Sequence, residues 1–188
     1  MFASNARWIS ALRDAAGPGT LPSPDAMPPA FRRAADPDGI LWPVACGDLS
    51  GLEAADRLLA ARPGSSLADP GAYMALEVWT ECELSALHAL GRVARLHPSP
   101  ARRARLGELL AWHLEHTQPD NATNRPWALH LFAMQGSPES VLYAETLLHN
   151  VAASDARHEP LSRWILLDAA RELESAGDRG PVGGIGIS

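Results

Sequence analysis

The chain reads as all-α, a compact array of antiparallel helical hairpins with an extended proline-rich N-terminal arm. Three observations predict this. Apolar residues recur at three- and four-residue spacing through residues 70–96, 100–116 and 138–152. Each of these runs opens on a capping residue followed by proline: Asp69-Pro70, Ser99-Pro100 and Ser137-Pro138. No stretch alternates convincingly with period two. Ile40 to Ala45 could pair locally, but it is short and contains Pro43.

Taken in order, residues 4–16 form a short amphipathic helix with Trp8, Ile9 and Leu12 on one face, ended by Gly17-Pro18-Gly19. Pro22, Pro24, Pro28 and Pro29 forbid a helix in the stretch 18–37. That stretch is either an arm lying across the domain or a linker, with Phe31, Ile40, Leu41 and Trp42 to anchor its far end. Ser50-Gly51-Leu52-Glu53 is a capping-box sequence that opens a helix to Arg62. A long helix from about Pro70 to Leu96 and a second from Ser99-Pro100 to about His116 turn on each other at His97-Pro98. After a polar loop, helices run from Pro126 to Gln135, from Pro138 to about Ala152, and from Pro160 to Ser175. The expected organisation is an N-terminal helix and arm (1–49), a helical domain (50–176) and a flexible glycine-rich tail (177–188).

Composition narrows the function classes. A net charge of -6 argues against a nucleic-acid partner. No apolar run reaches bilayer-spanning length, and the first residues lack a signal-peptide pattern, so the expectation is a cytoplasmic protein with no membrane partner. All 16 basic residues are arginine, which excludes a Schiff-base lysine and a P-loop. That bias, with abundant Ala, Pro and Gly, suits a GC-rich bacterial coding sequence. Cys46 and Cys82 form neither a disulfide framework nor a zinc knuckle.

The densest polar run, His113 to His130, suggests a loop between buried helices at the rim of a pocket. Projected at about 100° per residue, Glu83 falls inside the apolar stripe of the long helix and His113 inside that of the next. Both lie equally far from the turn at Pro98, so they should come level and meet, since an ionisable group on an apolar stripe needs a partner. Glu77, Glu81, His88 and Arg95 project to the opposite side. The Glu83–His113 pair is by default a satisfied buried pair that fixes register. The chemical alternative has Glu83 orienting His113 as a general base, with His130 as a further catalytic candidate. Asp120, Asn121, Asn124, Arg125 and Trp127 are the candidate ligand-binding residues, with Arg125 suited to an anion. Trp127 also reads as core. The loop residues also serve as turn and cap residues. No cofactor is expected. His113 and His116, with Asp120 or His130, have a metal-like spacing, though a histidine near a helix end also caps carbonyls. Asp168 interrupts an apolar run and is expected to bond to Arg125 or Arg163, or to cap the loop.

Trp112-His113-Leu114, Gln118-Pro119-Asp120, Trp127-Ala128-Leu129 and Gly136 resemble the helix–turn–helix units of the α/α toroids, the terpenoid cyclases and protein prenyltransferases. The resemblance covers about residues 109–136. It implies inner and outer antiparallel helices with ligands bound at one end. The chain lacks the aspartate-rich acid motif of the triterpene cyclases and a matched Asp, Cys and His zinc set, so no catalytic residue carries over. The leading expectation is a small-molecule-binding helical domain, which the Glu–His pair could make an enzyme. The alternative is an interaction module whose arm and helices dock a protein partner or a second subunit.

Overall fold

The computed structural model describes residues 2–23, 25–28, 36–118, 123, 125–154 and 158–177. Among these residues, helices are the only extended regular structure, which bears out the all-α class. There are eight: α1 (Phe2–Ala16), α2 (Pro37–Ala45), α3 (Leu52–Ala61), α4 (Leu76–Leu96), α5 (Pro100–His116), α6 (Leu129–Gln135), α7 (Pro138–Ala153) and α8 (Pro160–Gly177). No described helix is long and apolar enough to cross a membrane. Phe31 and the tail beyond Gly177 lie outside the described residues.

Local signals place the helix starts well where a serine precedes proline. Ser99 accepts from the Arg102 N–H and Ser137 from the Ser140 N–H, and each is followed by proline at the first helical position. Three starts differ from expectation. Asp69 caps only a single 3₁₀ turn, Pro70–Ala72, and α4 begins at Leu76 because the chain extends through Tyr73 and Ala75 first. Asp48, rather than the expected capping box at Ser50, accepts the first N–H, and a 3₁₀ turn at Leu49–Gly51 precedes α3. Pro126 does not open α6; residues 126–128 form a turn, and Ala128 takes the left-handed conformation (φ 57°) ahead of Leu129.

The largest correction concerns residues 37–45. Neither an arm nor a strand, they form α2, with Pro37 in its first turn and Pro43 near its end. Pro43 removes one helical hydrogen bond, but its carbonyl accepts from Cys46 and Asp48 and so closes the helix. Leu41, Trp42, Val44 and Ala45 are fully buried against α4. Burial of each large apolar side chain is worth about 1.5–3 kcal/mol, enough to override a local proline.

One core cluster joins α1, α2 and the remaining helices: Trp8 and Leu12, Leu41 and Trp42, Leu84, Leu87 and Leu90, Phe132, Leu147 and Ile165 all belong to it. α1 packs on α8, α2 on α4, and α6 on both α7 and α8. α4 is therefore covered almost all round; from Thr80 to Ala94 every residue but Glu81 and Gly91 is buried. This is why a two-sided projection placed His88 wrongly. His88 was expected opposite the apolar stripe but is fully buried, because α4 has no solvent side at that level.

Candidate functional site

Glu83 and His113 do come level across the α4–α5 hairpin. His113 Nε2 stands 3.6 Å from Glu83 Oε1, and both side chains are fully buried. Their partners are different, however. Glu83 accepts the backbone N–H of Leu67 at Oε1 and that of Ala68 at Oε2, both at 2.7 Å. It thereby holds the segment between α3 and α4. His113 Nδ1 bonds Thr117 Oγ1 (3.2 Å), which also contacts the Tyr143 hydroxyl at 2.7 Å. The His113 ring packs edge-on to Trp112 and Phe132. The pair thus sits inside the core, where it fixes a loop and a helix end.

The loop candidates divide. Asp120, Asn121 and Asn124 lie outside the described residues. Arg125 is already engaged, by Glu81 at 2.9 Å and Glu159 at 3.3 Å. Trp127 donates from Nε1 to Glu81 at 2.6 Å and packs against Trp42, His88 and Trp164 as core. His116 Nδ1 donates to the Trp112 carbonyl (3.0 Å) and the ring stacks on that indole, so it caps the helix end.

The charged centre of the molecule lies elsewhere, between α4 and α8. His88 Nδ1 accepts the Ala128 N–H at 3.2 Å, so the ring proton is on Nε2, which donates to Asp168 Oδ2 at 3.1 Å. Asp168 also pairs with Arg92 and, at 2.6 Å, with Arg171. Arg92 reaches Glu172 at 3.3 Å, and Arg95 grips Glu172 through two bonds of 2.7 and 2.9 Å. Asp168 therefore bonds neither Arg125 nor Arg163 as expected; its partners come from α4 and its own helix. Arg92 also lies over the Trp42 ring at 5.4 Å. Burial, reinforced by the Arg92 charge, lowers the His88 pKa to about 3, so this ring is neutral. Burial raises that of Asp168 to about 6 despite its arginines, while Arg95 helps draw Glu172 down against the opposing effect of burial.

His130, on α6, packs tilted against His88 with ring centroids 4.3 Å apart. It is 1% exposed, and its Nδ1 has no hydrogen-bond partner among the described residues. Burial, and then the neighbouring His88, lower its pKa to about 3. His130 also lines a cavity of about 410 Å³ between α4, α5, α6 and α8. Gly91, Ala94, Leu106, Leu131 and Met134 make its walls apolar. Gly91 leaves room there: a Cβ on it would fall 2.6 Å from a Leu131 methyl. Arg95, Arg103 and Glu172 supply the remaining polar surface. The sequence singled out His130 but missed Arg92, Arg103, Glu172 and the cavity. One signal was present: His88 and Arg92 on one helix match Asp168 and Glu172 on another, both at four-residue spacing.

A second, smaller recess of about 130 Å³ is lined by Asp38, Glu81, Ser85 and Arg125, among others. Beside it the ligand atoms of Asp36, Asp38 and Cys82 lie within 4.8 Å of one another, a spacing a metal could span. The Cys82 thiol is already in contact with the Tyr73 hydroxyl (3.2 Å) and Asp38 (3.4 Å). Burial and the Asp38 charge push its pKa up to about 12, which opposes the thiolate a metal requires. Comparison with protein-family models, characterised proteins and solved structures finds no match for this chain.

Proposed function

We propose that the protein binds a small molecule with an apolar body and a hydrogen-bonding atom, in the cavity between α4, α5, α6 and α8. The observation that carries this reading is His130. A buried imidazole with an open nitrogen has lost its hydration without replacing it, a cost of about 1–3 kcal/mol unless something fills the gap. It borders an apolar space within the roughly 300–1,000 Å³ range of small-molecule sites. Glu172 in its wall is held by Arg92 and Arg95, and His88 backs His130, which gives that space the supported lining a binding site needs. The arrangement favours binding over catalysis: the neutral His130 and the sealed Glu83–His113 pair offer no poised proton carrier at the cavity.

Titration of the full chain with 1-octanol, read by melting temperature and calorimetry, tests this. Wild type should gain thermal stability with alcohol concentration, as any native-state ligand produces. His130→Leu should weaken the alcohol, and Ala94→Phe, which fills the cavity, should abolish its binding. Equal binding by wild type and Ala94→Phe would overturn the reading.

A second reading has its own observation. Met74, Leu76 and Val78 are apolar yet exposed at the start of α4, the first of them completely. Such a run favours a protein-docking surface. Light scattering of wild type against a Met74→Ser, Leu76→Ser variant tests self-association through it; an unchanged mass in both would exclude self-association there.

A further inference from the structure

We infer that the ligand of this cavity is an amphipathic carboxylate, its anionic head held by Arg103 at the mouth, its apolar body along the walls and its inner hydrogen-bonding atom at His130. The inference rests on the cavity reading above and names the class of molecule it takes. Arg103 lines the cavity from the first turns of α5, is exposed, and its side chain has no ion-pair or hydrogen-bond partner among the described residues. Its neighbours Arg102 and Arg105 are by contrast committed, to Asp56 and to Glu108 with the Arg62 and Ser65 carbonyls.

Position supports the polarity of the ligand. Arg95, Pro98 and Arg103 cluster at the α4–α5 turn, whereas the His130 ring meets His88, two turns earlier on α4. From His88 to Arg95 α4 rises about 10 Å, so the charged mouth and the inner imidazole mark opposite ends of the space. Charge agrees as well. Glu172 is the one carboxylate lining the cavity, and its oxygens are bonded by Arg92, Arg95 and Arg171. Of the charged residues that line the cavity, Arg95 and Glu172 pair with each other, so Arg103 is the charge left for a ligand. A primary amine would meet repulsion there and a neutral alcohol would gain nothing from it.

The test compares octanoate, 1-octanol and octylamine on the full chain, wild type and Arg103→Gln, at low and high salt. The exposed Arg103 side chain makes no bond to another described residue, so the variant should fold as wild type. Octanoate is expected to bind about fivefold tighter than octanol, the scale of an exposed ion pair, with octylamine weakest. The preference for octanoate over octanol should vanish in Arg103→Gln and shrink in high salt. Octanol binding equal to or tighter than octanoate overturns this inference but leaves the cavity reading intact. Failure of all three to bind overturns both.

Discussion

Glu83 and His113 face each other 3.6 Å apart, yet each is held by something else. The Glu83 carboxylate clamps the Leu67 and Ala68 amides, and it can do so only with two acceptor oxygens. Glu83→Gln presents an amide donor to one of those donors. It should lower the unfolding free energy by about 1–3 kcal/mol in urea titration and leave octanol binding intact. Loss of binding with unchanged stability would instead restore this pair as a functional centre.

The Asp168–Arg92 pair makes a similar demand at higher stakes. Both side chains are fully buried. Asp168→Asn keeps the shape but strips Arg92 and Arg171 of a charge and His88 of its orienting acceptor. A loss of about 3–5 kcal/mol is expected, measured by denaturant unfolding. A loss below 1 kcal/mol would mean that the network does not hold α4 to α8.

His130 predicts a pH dependence. Its folded pKa is lowered to about 3, below the ordinary value of 6.5, so the folded form stays neutral while the unfolded form takes up a proton. Its contribution is whole above about pH 6.5 and drains away as pH falls toward 3. His130→Leu should therefore gain on wild type in acid, by at most about 1.4 kcal/mol per pH unit in that window. Stability curves that stay parallel between pH 6.5 and 4 would show that His130 titrates normally.

Cys82 should be chemically quiet. With its pKa pushed up to about 12, it carries little thiolate near neutrality. A disulfide reagent at about pH 8 should label it far more slowly in the native protein than in urea. Equal rates would place the thiol in water.

Ala128 holds a left-handed backbone to aim its N–H at His88. A non-glycine residue there carries about 1–2 kcal/mol of strain. Ala128→Gly should relieve part of it, raising the melting temperature without changing the His88 environment in an imidazole NMR spectrum. A drop in melting temperature would mean that the buried methyl group outweighs the strain.

Much of the helix pattern was legible in the sequence. Ser99-Pro100 and Ser137-Pro138 specify helix starts through local chemistry, and that chemistry needs no neighbour. The meeting of Glu83 with His113 was legible too, because a single turn and a constant rise fix which residues come level. The partners of those residues were not. The amides of Leu67 and Ala68 come from an irregular segment whose path no periodicity describes. The α2 helix was hidden by Pro43, since local propensity argues against it and only its burial on α4 favours it.

The sequence by itself determined an all-α fold, an α4–α5 hairpin of set register, and that Glu83 and His113 stand on its apolar stripes. These follow from spacing, capping and turn chemistry, all local. Tertiary structure alone decided that α4 is enclosed almost all round from Thr80 to Ala94, that His88 and Arg92 lock to Asp168 and Glu172, and that His130 and Arg103 border one cavity. Those facts depend on which helix packs against which face, and residues some 80 positions apart meet there. Only the burial of the whole core selects among such pairings.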